Sequence, residues 1–318
     1  MRNDRKAVKT ATISRVQGYH NGNFGGENYA FDGFTSNKYF TSDRFIKLDE
    51  MFRRPDGKPL QGFGLEIETE CTGIRNVSVL AEVLHKVIFA HFPADLFKLQ
   101  HDGSLDGDSS AECITQVMTR EFIRNNYANF KLMYDTYFPA FGISAASTNC
   151  GMHCNISRAV FGKDEKTQTE AVRKLYYIVN RHFDLMCALL HRNRRATGYC
   201  SKMRCEKDYC KTLNLAAQAC SHGVCFNLGH WEAGRIELRL VGGQTNYACF
   251  RNTMESIFHL CAAVKKLSWN DCDDVTKIFS GCNQYVYDRL KSFVRRADCI
   301  TDDQLATIRA TVKREELI

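Results

Sequence analysis

From Gln61 onward, short alternating apolar–polar segments take turns with longer ones whose apolar residues recur every three or four positions. Alternation at period two puts successive side chains on opposite faces of a strand. A period of 3.6 gathers them on one face of a helix. Strands are therefore predicted at 62–69 (GFGLEIET), 96–100, 111–117 (AECITQV), 150–157 (CGMHCNIS), 222–228 and 235–241 (RIELRLV). Helices are predicted at 76–91, 120–137, 166–191, 246–267, 284–296 and 302–313. The segment 166–191 carries Val172, Leu175, Tyr176, Val179 and Leu185 at helical spacing, and 246–267 carries Phe250, Met254, Ile257, Cys261 and Val264. The strands alternate instead of running wholly apolar, which predicts an α+β chain with an antiparallel or mixed sheet covered by helices on one face. Residues 1–60 are different. They are polar and rich in Gly and Asn (GYHNGNFGGENYAFDGF), predicting an irregular or hairpin-forming N-terminal extension that ends at the turn signal RPDGKP, residues 54–59.

Three of these strands carry unusual polar faces. Glu66 and Glu68 share one face of GFGLEIETE, opposite Phe63, Leu65 and Ile67. Arg235, Glu237 and Arg239 share one face of RIELRL, opposite Ile236, Leu238 and Leu240. Asn149, Gly151, His153 and Asn155 share a face opposite Met152, Cys154 and Ile156. A solvated outer face is the plain explanation of any one such strand, but such faces usually mix Thr, Ser and Lys. Paired carboxylates repel one another unless a cation sits between them, and hard cations such as magnesium take carboxylate oxygens. Arginines two strand positions either side of a glutamate offer forked donors to phosphate oxygens. Carboxylates and arginines together are what phosphoryl transfer requires. The segment KLQHDGSLDGDSSAECITQV adds Asp102 and Glu112 as acidic candidates, with Asp106 and Asp108 read as ordinary loop residues.

Composition narrows the setting. The 318 residues suffice for one large domain or two small ones, and 44% hydrophobic with 25% charged residues is ordinary for a globular chain. No run approaches the roughly 18 to 20 apolar residues of a membrane span. The N-terminal MRNDRKAVKT lacks the apolar stretch of a secretory signal, so the expected location is the cytoplasm. The formal charge of +7 suits an anionic partner such as a nucleotide, a nucleic acid or an acidic substrate, with simple solubility as the alternative. The densest basic run is Arg192, Arg194 and Arg195. The 15 cysteines are odd in number and scattered, so they are expected as free, mostly buried thiols. The cluster Cys200, Cys205, Cys210, Cys220, His222 and Cys225 contains no CxxC pair and is not expected to hold zinc.

The order and wording of the motifs resemble the amidoligase family, related to glutamine synthetase and glutamate–cysteine ligase. The matching stretches are GLEIE (64–68), HDGSL followed by AE (101–112), CGMHCNIS (150–157), RNRRATGYC (192–200), YCKTLNL (209–215) and RIELRLVGGQTN (235–246). They cover residues 61–265 of an expected catalytic domain spanning 61–318, whose C-terminal helices (266–318) carry no match. The resemblance implies a curved antiparallel sheet forming half a barrel, with helices outside and the site on the concave face. It implies that Glu66, Glu68, Glu112 and Glu237 hold magnesium (or manganese), and that His153 binds a metal or the transferring phosphate. It implies that Arg235 and Arg239 bind nucleotide phosphates or an acyl phosphate, with Asn155 and Arg192 also at the nucleotide. The basic loop that includes Arg195 corresponds to mobile residues near the substrates. Asn155 stands where many relatives have a second histidine.

The activity so implied is an ATP-dependent carboxylate–amine ligase. ATP phosphorylates a substrate carboxylate, and an amine displaces phosphate to form an amide or peptide-like bond. The partners are ATP, a carboxylate and an amine, peptides among them, with no membrane and no required nucleic acid. Two alternatives differ in class. One is another phosphotransferase of the same fold. The other is a catalytically inactive protein that binds anions or nucleic acid.

Overall fold

The computed structural model describes residues 13–15, 29–31, 61–75, 77–92, 96–100, 105, 110–147, 149–193, 200–218 and 223–313. They build an α+β chain that divides into two compact units. The first comprises Met1–Gly57, Phe63–Cys154 and Gly243–Tyr247, and the second Lys58–Gly62, Asn155–Gly242 and Ala248–Ile318.

In the first unit, β1 (Ile13–Arg15) and β2 (Tyr29–Phe31) pair antiparallel. The turn signal at 54–59 lies outside the described residues. The unit is organised around β3 (Phe63–Cys71), which is buried along nearly its whole length. Next come α1 (Val77–Val83), β4 (Phe97–Gln100) and β5 (Ser110–Thr115). The strands lie in the order β4-β5-β3, with both pairings antiparallel. Thr115 ties the ladder together, its hydroxyl accepting the Leu65 N–H at 2.8 Å.

The predicted helix 120–137 is broken into α2 (Arg120–Asn125), α3 (Tyr127–Leu132) and a wide turn at Met133–Tyr137, before α4 (Phe138–Phe141). Thr119 caps the first by accepting the Phe122 N–H. Gly142, at φ 68°, then turns the chain into β6 (Ile143–Ser144), which pairs with the end of β3. Strand β7 (Met152–Ser157) begins in this unit beside β3 and continues into the second.

In the second unit the strand order is β7-β9-β8, with β8 (Phe226–Asn227) and β9 (Arg235–Leu238) paired antiparallel. The helices are α5 (Glu165–Arg181), α6 (Phe183–Leu189), α7 (Lys207–Thr212), α8 (Tyr247–Ala263), α9 (Val275–Ile278), α10 (Gln284–Arg289) and α11 (Asp302–Arg309). The periodic residues Val172, Leu175, Tyr176 and Val179 are buried on α5, as their spacing predicts. Asp164 caps α5 through the Thr167 N–H, and Thr301 with Gln304 forms a capping box on α11. No helix among the described residues is long and apolar enough to cross a membrane.

Candidate functional site

The polar face of β3 is not solvated. Glu66 is 1% exposed and Glu68 6%, while Leu65 and Ile67 on the opposite face are equally buried. Register places Glu112 of β5 directly opposite Glu68, and Glu112 is 1% exposed. Side chains at facing positions of an antiparallel pair lie about 5 Å apart at Cβ, so two ionised carboxylates there repel strongly once water is removed. His153 of β7 offsets part of this. Its Nδ1 lies 3.2 Å from Glu66 Oε2, and its Nε2 lies 3.6 Å from Glu68 Oε1. The other oxygen of Glu68 accepts the Gly151 N–H, which fixes the carboxylate. The first unit therefore brings together, at one place, the two glutamates of GLEIE, the glutamate of AE and the histidine of GMHCN. Carboxylate oxygens beside one imidazole are donors that a divalent cation takes.

The second unit holds the E-x-R group. Glu237 of β9 is buried, and both of its oxygens are engaged: Oε1 accepts from Arg239 Nη1 at 2.5 Å and Oε2 from the Asn227 amide at 2.8 Å. Asn227 faces Glu237 across the β8–β9 pairing. Arg235 is wholly buried and donates to the side-chain oxygen of Asn155. Buried guanidiniums are tolerated only where such acceptors meet them. Asn227 stands outside the motif residues, and its one signal in the sequence is an amide inside the short apolar segment CFNLG.

No family model matches this chain, and no curated protein does. The site therefore rests on its own geometry.

Arg192, expected at the nucleotide, donates through Nη2 to the main-chain carbonyls of Arg239 (3.0 Å) and Val241 (2.7 Å). Gly242 makes the close approach possible, because a Cβ there would lie 2.1 Å from the His191 carbonyl oxygen. Arg192 thus braces the end of the RIELRLVGG strand. Arg194 and Arg195 lie outside the described residues, as do Asp102, Asp106 and Asp108. Every described cysteine is a free thiol, and no three of them bring their sulfurs close enough to hold a metal. Cys220 and His222 lie outside the described residues.

His191, next to Arg192, sits at φ 62° in the left-handed region. Burial, and secondarily the nearby Arg289 cation, push its pKa down to about 3. In the unfolded chain the imidazole takes its proton near its ordinary value of about 6.5. Between those values the unfolded state binds more protons, so His191 removes stability as pH falls from about 6.5 to about 3. Asparagine tolerates the left-handed backbone and does not titrate. His191→Asn should therefore flatten the acid side of the stability curve by about one proton over that window. Denaturant unfolding of both proteins from pH 7 to pH 4 measures this, and parallel curves would contradict it.

Proposed function

We propose that this protein is an ATP- and magnesium-dependent carboxylate–amine ligase of the amidoligase kind, with the half-barrel sheet of glutamine synthetase relatives. The observation that carries the reading is the buried group Glu66, Glu68, Glu112 and His153. Glu66 and Glu68 flank one imidazole out of water, with buried Glu112 opposite Glu68 in register, an arrangement costly in a purely structural role that a divalent cation would balance. The order of the motifs in the sequence supports the rest.

In this reading Glu66, Glu68, Glu112, His153 and Glu237 hold magnesium or manganese. When bound, the metal neutralises charge on the nucleotide phosphates. Arg235 and Arg239 bind the phosphates, with Asn155 holding Arg235 in place. Arg239 exchanges its contact with Glu237 for the phosphoryl group and then stabilises the charge of the acyl phosphate and its tetrahedral adduct. Arg192 supports that arginine through its main-chain carbonyl, and Arg195 approaches the substrates. The carboxylate oxygen attacks the γ-phosphorus with loss of ADP, and the amine then displaces phosphate, so each turn yields amide, ADP and phosphate.

A screen of carboxylate and amine mixtures with ATP and magnesium, read by mass spectrometry, tests the reaction. The expected products weigh the sum of the two substrates less one water, with ADP and phosphate in equal amounts. ADP formed together with a phosphorylated product and no free phosphate would overturn the ligase in favour of a kinase.

A further inference from the structure

The second unit contains a cavity of about 630 Å³ away from its strands, walled by α6, the turn after it and the segment following α10. Asp184, Ala188, His191, Arg192, Arg289 and Phe293 line it. Of its lining residues, Arg289, Phe293 and Ala297 fall in the part of the chain without motif matches, whereas Arg192 belongs to the RNRRATGYC stretch.

Arg289 is the unusual residue here. It is 2% exposed, and its Nε and Nη2 donate to the carbonyls of Leu189 (3.2 Å) and Ala188. Its guanidinium carbon lies 3.7 Å over the Phe293 ring. That fixes the plane of the fork, yet the remaining nitrogen, Nη1, is buried with no hydrogen-bond partner among the described residues. Arg192 Nε and His191 Nε2 are in the same condition, and both residues line the same cavity. Among the described residues no carboxylate pairs with either arginine, and the only acidic residue in the wall, Asp184, is exposed. Burial pushes the pKa of Arg289 down only to about 10, so it remains a cation at neutral pH. A desolvated guanidinium with an unused donor is costly unless an anion meets it.

We propose that this cavity is a binding site for a small molecule with an oxyanion head, a carboxylate or a phosphate. Arg289 Nη1 and Arg192 Nε donate to the head, and Phe293 with Ala188 lines the space for a short apolar body. His191, neutral because it is buried beside Arg289, adds a ring nitrogen without adding charge. Forked guanidinium donors held by backbone carbonyls and an aromatic face are preorganised for planar or tetrahedral oxyanions.

The probes are inorganic phosphate and propionate, titrated separately into the full chain by calorimetry in EDTA without nucleotide. These conditions keep metal-dependent binding at the proposed ligase site out of the measurement. One saturable site per chain is expected. Binding of phosphate alone marks a phosphoryl ligand, and binding of propionate marks a carboxylate. Arg289→Lys keeps the charge but loses the fork, and should weaken the bound probe by about tenfold or more. Because Arg289 also braces α6, that variant could fail to fold, so Ala297→Glu provides a second arm. Ala297 lines the cavity at its partly exposed edge, and a carboxylate there competes with the probe while leaving the melting temperature unchanged. No saturable binding of either probe, or binding that folded Ala297→Glu leaves intact, would overturn the proposal.

Discussion

Arg239→Lys should fold, bind ATP nearly as well as the wild type and lose turnover on the order of 10²-fold or more, the loss typical of one preorganised transition-state donor. Lysine can keep the ion pair with Glu237, so the buried carboxylate is not left alone. What it cannot reproduce is the planar fork that the proposed role needs to meet two phosphoryl oxygens at once. Arg239→Met makes the contrast. It strands Glu237 as a buried charge, and loss of one partner from such a pair typically costs about 3–5 kcal/mol of stability. Glu237→Gln should behave differently again, weakening metal–nucleotide binding and slowing formation of ADP. Rapid-quench measurement of ADP against amide separates these steps. Near-wild-type turnover in folded Arg239→Lys would reduce the E-x-R motif to an internal ion pair between β9 side chains.

Glu66→Gln should leave the metal-free protein as stable as the wild type, or more stable, and abolish the stabilisation expected from magnesium on the proposed reading. The amide keeps a hydrogen bond to His153 and removes one of the charges crowded with Glu68 and Glu112. Ligand-linked stabilisation scales with the logarithm of ligand concentration over Kd, so a lost site appears directly as a missing shift in melting temperature. Thermal unfolding with EDTA and with excess magnesium provides both comparisons. Unfolding of the metal-free variant would mark the glutamates as structural.

The strands were legible because their alternation is strict. GFGLEIETE, AECITQV and CGMHCNIS lie on β3, β5 and β7, and RIEL on β9. Alternation could not say whether the polar faces meet water or one another. Glu66 and Glu68 are buried because β5 and β7 flank β3 and bring further polar groups, Glu112 and His153, to the same place. That depends on pairing between distant segments, which no local period encodes. Helix interruptions were also illegible: the wide turns at Leu84–Ile88, Met133–Tyr137 and Leu290–Val294 keep the apolar spacing while changing the hydrogen-bond step. The 222–228 strand shrank to Phe226–Asn227, and its Asn227 proved to hold Glu237. Arg192 is expected at the nucleotide, yet Gly242 lets its Nη2 reach the backbone carbonyls beyond β9, a contact made by closeness of main chains that no local pattern encodes.

The central claim is that buried glutamates hold the metal through which this chain binds ATP. Calorimetry of ATP binding in magnesium, and again in EDTA, tests it most directly. The account predicts one nucleotide per chain in magnesium and little or no binding once the metal is removed. Equal affinity in both conditions would contradict it.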